Sequence, residues 1–145
     1  MRPGHHEATI VGDISEVGLL PEAAFDCMVI TQTLHLVYDM RAAVSELYRA
    51  LAPDGTLLLT VPGVSSVDRG EWGSSWYWSL TGPAAERLFS DVFGAGNVEV
   101  EVEGNFYAAT SFLQGLAAEE IDAALLEGHD PAYPVTVCVR AQRAG

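Results

Sequence analysis

His35 is the side chain in this sequence whose chemistry best suits proton transfer. It follows an apolar run at residues 27–31, and a histidine beyond the carboxyl end of a strand is well placed to act as a base. It could instead be a half-buried histidine in a loop, which is the interpretation we favour. His35 is therefore only a weak candidate for a catalytic residue.

An aromatic segment, residues 64–80, has the sequence VSSVDRGEWGSSWYWSL. Its residues Trp72, Trp76, Tyr77 and Trp78 could line a substrate pocket, because rigid aromatic side chains bind apolar or ring-shaped ligands well. They could also form a lid packed on the core, or a cover for an exposed sheet edge. Substrate lid and structural cover remain equal alternatives.

The cysteines and histidines predict neither a disulfide nor a metal site. Cys27 and Cys138 each lie in an apolar, strand-like run, which is typical of reduced thiols in a core. The histidines show no metal-ligand spacing, although His5 and His6 could bind a metal weakly. We expect no metal cofactor.

Composition narrows the class of protein. The 145 residues, 49% hydrophobic and 19% charged, predict one soluble globular domain. The net charge of -13, with no lysine, disfavours nucleic-acid binding. No apolar run reaches the ~18 residues of a membrane span, and the N-terminus lacks the apolar core of a secretion signal. We expect a cytoplasmic protein, and the lysine-free composition suggests a bacterial one.

The first 63 residues predict one strand-helix-strand crossover. Residues 8–11 predict a short strand before Gly12-Asp13, and 14–24 predict a loop. Residues 27–31 predict a strand buried on both faces. Asp39 should cap a helix with Glu46 and Arg49 on its wet side, and Pro53-Asp54-Gly55 should end that helix. Residues 56–61 predict a second buried strand, parallel to the first.

The second half predicts three more helices and two more strands. Thr81 and Pro83 predict a helix start, and Gly94 predicts its end. The valines 98, 100 and 102 alternate with glutamates, which predicts a half-buried strand with a solvated face. Residues 106–116 and 118–126 predict helices, and 135–139 predict a last strand.

Five short stretches occur in the order seen in one enzyme family. They are Gly12-Asp13, Phe25-Asp26, the run VITQTLHLV, the turn LAPDG at 51–55 and the run LLLTVP. In this order and spacing the chain resembles the C-terminal part of a class I S-adenosylmethionine (SAM) dependent methyltransferase, of the type 11/12 kind. The resemblance implies an α/β fold with a partial Rossmann-like sheet, mostly parallel with an antiparallel last strand and flanked by helices.

The resemblance also implies roles for individual residues. Asp13 would accept a hydrogen bond from the adenine amino group, although in itself it could be merely a turn residue, and Ile14 would offer its backbone N–H to the ring. Thr31 and Gln32 would lie near the sulfonium and the acceptor. Leu36, and not His35, falls where many members carry a histidine.

The resemblance further implies an upstream strand, a GxGxG turn and a second strand ending in an acid, which hold SAM in this family. None of these fits within residues 1–12. The only GxG, at residues 94–96, follows a predicted helix, and we interpret it as a helix end. We therefore expect a single domain over residues 1–145 that is truncated at its N-terminus relative to the family.

Loss of the neighbouring strand would leave the strand at 27–31 with an exposed edge. Residues 8–11 could pair there, a second copy of the chain could dock, or another polypeptide could supply the missing half. We expect self-association.

Two functions follow from these observations. The first is a SAM-dependent methyltransferase for a small-molecule acceptor, a sugar or another natural-product hydroxyl, with a site completed by a partner or a second copy. The second is a methyltransferase-like protein that does not use SAM, either a binding module or an enzyme of another reaction type that uses the aromatic segment.

Overall fold

The computed structural model describes residues 8–145, which form a four-stranded mixed sheet with strands in the order β1-β2-β4-β3. The strands are β1 (Phe25–Thr31), β2 (Leu51–Pro62), β3 (Val98–Glu103) and β4 (Thr136–Gln142). Strand β1 is parallel to β2, whereas β4 lies between β2 and β3 and is antiparallel to both. Hence β1, β2 and β3 run in one direction and β4 runs against them, which confirms the predicted fold class.

Helix α1 (Met40–Ala50) connects β1 to β2, as the apolar spacing predicted. The Asp39 carboxylate caps it by accepting a hydrogen bond from the Ala42 amide at 3.0 Å, which satisfies one of the free N–H groups of the first turn. Strand β2 begins at Leu51 and not at residue 56, because Leu51 already pairs with Phe25 of β1. The predicted turn at Pro53-Asp54-Gly55 forms an irregularity within β2, where Asp54 has a φ of 62 and the register against β1 shifts.

Helix α2 (Gly82–Phe93) follows the aromatic segment and packs beside α1. The Thr81 hydroxyl accepts from the Ala84 amide at 3.4 Å, and Gly94 ends the helix at φ 86. Gly94 also begins the GxG stretch, so this stretch is a helix end, as predicted. Helix α3 (Phe106–Gln114) follows β3 and precedes β4 along the chain.

One face of the sheet carries the hydrophobic core. Leu57, Leu59, Val61, Val137 and Val139 alternate along β2 and β4 and are buried. Their partners come from α1 and α2, whose buried residues include Ala43, Val44, Leu47, Ala85, Phe89 and Phe93. We call this side of the sheet the covered face.

No helix packs over the other face within residues 8–145, and we call it the open face. Val29 keeps 67% of its surface and Leu58 keeps 42%. The prediction that the strand at 27–31 is buried on both faces is therefore wrong. Both cysteines are free, as predicted. Cys27 is exposed on the open face and is therefore not a core thiol, whereas Cys138 is half-buried.

Three further predictions are wrong. Residues 8–11 form bends and not a strand, so they pair with no edge. Residues 118–126 form two short 3-10 turns, Ala118–Glu120 and Ala123–Leu126, in place of one helix. Glu46 was assigned to the wet side of α1 but is 2% exposed. The weak metal site suggested at His5 and His6 lies outside the described residues.

Candidate functional site

The carboxyl ends of β1 and β2 lie side by side, and this edge of the sheet holds Thr31 and Gln32. Thr31 pairs with Thr60 of β2. Gln32 follows in the left-handed region at φ 47, where a residue other than glycine is strained. Its amide donates to the Thr60 carbonyl at 2.9 Å, so the strained turn is fixed to β2. Strained backbone conformations of this kind cluster at active sites and ligand-binding sites.

Thr33 continues this turn. Its hydroxyl donates to the Thr31 carbonyl at 2.9 Å, and the short 3-10 turn Leu34–Leu36 begins directly after it. The chain therefore turns back sharply where β1 ends, and the Thr31 and Gln32 side chains stay exposed.

Asp13 lies in an exposed turn. Its Oδ1 atom accepts from the Ser15 amide at 2.9 Å and from the Ser15 hydroxyl at 2.8 Å. These hydrogen bonds stabilise the carboxylate and lower the pKa of Asp13. Oδ2 has no hydrogen-bond partner among residues 8–145, and neither has the Ile14 amide. One acceptor and one donor are thus presented next to each other.

A buried carboxylate on α1 holds the loop that follows this turn. Glu46 accepts from the Leu20 amide at 2.9 Å and from the Gly18 amide at 3.1 Å. Arg49 binds the same carboxylate, with 2.9 Å between Nε and Oε2, and also donates to the Leu20 carbonyl. These hydrogen bonds, with that from Arg49 largest, lower the pKa of Glu46 to about 2.

No sequence pattern indicated this role of Glu46, because the helical period places Glu46 outside the apolar stripe of α1. Its burial comes from the loop at residues 18–20 folding over α1, which is a tertiary contact. A glutamate three residues before an arginine is also common on exposed helix faces. The Glu46–Arg49 pair is therefore a positioning element for the Asp13 turn that sequence reasoning missed.

His35 is buried at 2% exposure, more deeply than the half-buried loop histidine that we favoured. Its ring lies edge-on to Trp76, with 4.4 Å between ring centroids. His35 Nδ1 and Trp76 Nε1 are both buried without a hydrogen-bond partner among the described residues. Burial lowers the pKa of His35, so its imidazole is neutral at pH 7.

The aromatic segment folds back over the loop that follows β1. The amides of Tyr77 and Trp78 reach the His35 carbonyl at 3.2 and 3.3 Å. The Trp78 indole donates to the Val37 carbonyl at 3.1 Å, and Tyr77 packs edge-on against Tyr38 with 5.3 Å between rings. These contacts join the loops that leave the carboxyl ends of β1 and β2.

The four aromatic residues differ in exposure. Trp72 and Tyr77 keep 45% and 46% of their surface, whereas Trp76 and Trp78 are half-buried against the 35–38 loop. The same segment therefore contains two anchoring indoles and two rings that are free to contact another molecule.

A shallow groove of about 340 Å³ lies on the open face of the sheet. Its lining consists of Val29, Thr31, Leu58, Leu59, Thr60, Glu99, Glu101, Cys138, Val139 and Arg140. Thr31 borders this groove, so the open face is continuous with the end of β1.

Comparison with known proteins identifies the fold. Residues 2–59 match the sequence profile of the methyltransferase domain family. Over 62 residues the chain is 38% identical to a probable polyketide synthase 10 of Dictyostelium discoideum, which is 42% of this chain and 2% of that protein. A putative methyltransferase from Haloferax volcanii, solved with the activator Trm112, superposes with a TM-score of 0.58 at 18% identity, over 94% of this chain and 60% of that one.

The chain has the fold of a class I methyltransferase. A SAM-dependent methyltransferase from Thermotoga maritima, described as a possible histamine N-methyltransferase, superposes with a TM-score of 0.57 at 20% identity, over 91% of this chain and 62% of that one. The [4+2]-cyclase SpnF superposes with a TM-score of 0.53 at 18% identity, over 92% and 54%. The expected family resemblance is confirmed. This methyltransferase-like chain spans between 54% and 62% of the length of these three solved structures.

The residues present fit part of a SAM molecule. Asp13 Oδ2 and the Ile14 amide match an amino group and a ring nitrogen in polarity, and Thr31 and Gln32 at the end of β1 are exposed. A glycine-rich turn between a strand and a helix, which lets a backbone approach a nucleotide closely, does not occur in residues 8–145. No helix in this part of the chain is long and apolar enough to cross a membrane.

Proposed function

We propose that this chain belongs to a SAM-dependent methyltransferase that acts on a small-molecule acceptor, a sugar or another natural-product hydroxyl, in the bacterial cytoplasm. The observation that carries the proposal is the strained Gln32 turn, fixed to Thr60 where two parallel strands end together. Open α/β sheets bind ligands at the carboxyl ends of their strands. The match of residues 2–59 to the methyltransferase domain family supports the same conclusion.

Asp13 and Ile14 are assigned to the adenine ring, through the free carboxylate oxygen and the free amide. Thr31 and Gln32 are assigned to the sulfonium end and the acceptor. The Glu46–Arg49 pair fixes the loop after Asp13, and so limits the positions that the Asp13 turn can adopt. When bound, SAM supplies an electrophilic methyl group.

Methyl transfer is an in-line displacement, so the protein contributes mainly by aligning donor and acceptor. A strong base is optional for such a reaction. The neutral imidazole of His35 can accept a proton, but Trp76 covers it, and an acceptor reaches it only after the aromatic segment moves. Trp72, Trp76, Tyr77 and Trp78 are assigned to acceptor binding, with the exposed rings of Trp72 and Tyr77 as the direct contacts.

A second polypeptide, either another copy of the chain or a different one, completes the site. Two observations support this. Residues 8–145 contain no glycine-rich turn for the cofactor, and β1 pairs with β2 alone, so one of its edges is unpaired. The chain by itself should therefore bind SAM weakly.

Weak and local binding can be tested by nuclear magnetic resonance. We expect S-adenosylhomocysteine, titrated to millimolar concentration into the ¹⁵N-labelled chain, to shift the amide signals of Ile14 and Gln32 and of their sequence neighbours. Asp13→Asn should weaken this response, whereas the matched variant Asp26→Asn, on the exposed start of β1, should not. Absence of any shift at residues 13–14 and 31–32 would contradict the assignment.

The alternative function is a methyltransferase-fold protein that does not use SAM. One observation favours it: a protein of the same fold bears the name of a cyclase. Such a protein would use the aromatic segment for its ligand. Trp72→Ala should then abolish ligand binding while the chain shows no response to S-adenosylhomocysteine; Trp76→Ala would change the packing of His35 as well, so Trp72 is the cleaner variant.

A further inference from the structure

We propose that residues 65–77 of the aromatic segment form a lid that is closed over His35 in this structure, and that its opening gives a ligand hydroxyl access to the imidazole ring. This inference deepens the proposed function and rests on it only for the chemistry of the ligand. The lid itself is defined by contacts between the aromatic segment and the loop that follows β1, with no reference to SAM.

The lid is fixed at both ends. It begins shortly after β2 ends at Pro62, and the Leu80 amide donates to the Pro62 carbonyl at 3.0 Å. Ahead of Leu80, the Trp78 indole donates to the Val37 carbonyl at 3.1 Å. A movement of residues 65–77 therefore leaves the sheet and helix α2 in place.

The middle of the lid is a compact turn held by its own hydrogen bonds. The Trp72 amide donates to the Asp68 carboxylate at 2.8 Å, and the Ser75 amide donates to the Trp72 carbonyl at 3.0 Å. The Tyr77 amide is shared between the Ser75 carbonyl at 3.0 Å and the His35 carbonyl at 3.2 Å, so it keeps one partner when the lid moves. The turn can thus leave His35 as one unit, which is typical of segments that open locally.

The contact that closes the lid leaves two polar atoms without partners. His35 is 2% exposed, and neither its Nδ1 nor Trp76 Nε1 has a hydrogen-bond partner among residues 8–145. A buried polar group without a partner destabilises the arrangement that buries it. An open lid lets water or a ligand reach both nitrogens, which offsets part of the ring packing that is lost. A hydroxyl group suits this pair, because it accepts from an indole N–H and donates to an unprotonated imidazole nitrogen.

Protonation of His35 provides a way to detect the opening. A charged imidazole without a partner is strongly disfavoured in a buried position but not in water, and burial is the cause that lowers the pKa of His35 below its usual 6.5 in the closed lid. The closed lid is therefore fully favoured above about pH 6.5 and is progressively lost as the pH falls below that value. No neighbouring charge contributes to the lowered pKa; the ionisable side chains nearest to His35 along its loop, the start of α1 and the lid are Tyr38, Asp39, Arg41, Asp68, Arg69, Glu71 and Tyr77.

Hydrogen exchange of the tryptophan indoles measures the opening. The Trp76 indole N–H is buried in the closed lid, whereas Trp72 is 45% exposed and serves as an internal reference for the intrinsic effect of pH. In the ¹⁵N-labelled chain, the exchange rate of the Trp76 indole relative to that of the Trp72 indole should rise about five- to tenfold from pH 7.5 to pH 5.5. His35→Asn keeps a polar side chain that does not titrate, so in this variant the ratio should be independent of pH.

Low concentrations of urea separate a lid movement from unfolding of the whole chain. A local opening exposes little new surface, so exchange of the Trp76 indole should hardly depend on urea, whereas exchange of the amide of Leu47 in the core should accelerate steeply. Equal acceleration at both sites would mean that the Trp76 indole exchanges only through global unfolding, and that no lid exists.

A pair of truncations tests the cover over His35 itself. Trp76→Ala removes the ring that lies 4.4 Å from the imidazole, and should raise the pKa of His35 toward its usual 6.5, measured from the NMR titration of the Cε1–H signal. Trp72→Ala, the matched control in the same segment, should leave this titration unchanged. The pair decides the question even where His35→Asn does not fold.

Three further outcomes overturn the proposal: a wild-type exchange ratio that does not change with pH, an unchanged pH dependence in His35→Asn, and a His35 titration that Trp76→Ala does not alter. None of these measurements involves SAM. A lid that opens in a chain without response to S-adenosylhomocysteine refutes the proposed function alone, whereas a response to S-adenosylhomocysteine in a chain whose Trp76 indole exchanges only through global unfolding refutes the lid alone.

Discussion

The two faces of the sheet differ completely in their surroundings, although the same strands form both. On the covered face Met28, Leu57, Ala141 and Val98 follow one another in register, and the two central residues are fully buried. The adjacent residue on each strand points to the other face, and these residues form the open-face row of Val29, Leu58, Arg140 and Glu99, which is exposed. The difference shows that the position of a residue in a strand sets the face to which its side chain points. It does not set whether that face is buried.

The reason lies in which helices reach the sheet. Helices α1 and α2 both lie on the covered face and bring apolar stripes to it. Strand side chains alternate between the two faces, so these helices bury every second residue and leave the rest open. The apolar residues of the open face therefore remain accessible to other molecules.

The comparison is tested most strongly by one substitution on each face. Leu57→Asp places a charge in the core between the sheet and the helices, and should destabilise the chain by about 4 kcal/mol or more. Urea unfolding followed by far-ultraviolet circular dichroism measures this. A midpoint equal to that of Leu58→Asp would show that the two faces do not differ as described.

The next largest effect concerns Glu46, which ties the covered-face helix α1 to the loop beside the site. Its pKa of about 2 lies below the usual 4.5, so its stabilisation is present above about pH 4.5 and is lost as the pH falls toward 2. Glu46→Gln should cost about 1–3 kcal/mol at pH 7. The difference between variant and wild type should shrink from pH 5 to pH 2.

Glu86→Gln, at an exposed position on α2, is the control for this experiment and should behave as wild type at every pH. A constant difference between Glu46→Gln and wild type across that range would mean that the carboxylate is not held by charge-dependent hydrogen bonds.

The two cysteines sharpen the comparison within the open face itself. Cys27 is exposed, whereas Cys138 is half-buried and has a raised pKa because of burial and then of Glu103 and Glu101. Cys27 should react with Ellman's reagent at pH 8 about tenfold faster than Cys138, because the thiolate is the reactive species. The single variants Cys27→Ser and Cys138→Ser assign the two phases. A single rate for both thiols would contradict the difference in environment.

The smallest effect is expected for Leu58→Asp in the isolated chain. Because Leu58 has no helix above it, the free energy of unfolding should change by less than about 1 kcal/mol. A loss close to that of Leu57→Asp would mean that something already covers the open face in solution, and sedimentation velocity would then identify a dimer.

Local signals explain why so much of the fold could be predicted. The cap at Asp39, the cap at Thr81, the end at Gly94 and the alternating valines of β3 each depend on a few neighbouring residues. The predictions that failed depend on distant contacts. Apolar β1 was expected to be buried on both faces, and the bends at residues 8–11 were expected to form a strand.

The candidate site divides in the same way. The end of β1 and the aromatic segment could be located from the sequence, because strand ends and turn residues are local features. The contact of His35 with Trp76, and the burial of Glu46 under residues 18–20, join parts of the chain that are 41 and about 26 residues apart. No pattern within one element encodes such contacts.

The crossover from β1 through α1 to β2 follows from the amino-acid sequence, because helix caps and apolar periodicity act over a few residues. The buried face of each strand, the position of β4 between β2 and β3, and the burial of Glu46 depend on contacts between distant residues. Burial is set by what packs above a residue, and α1 and α2 both pack on the same side of the sheet.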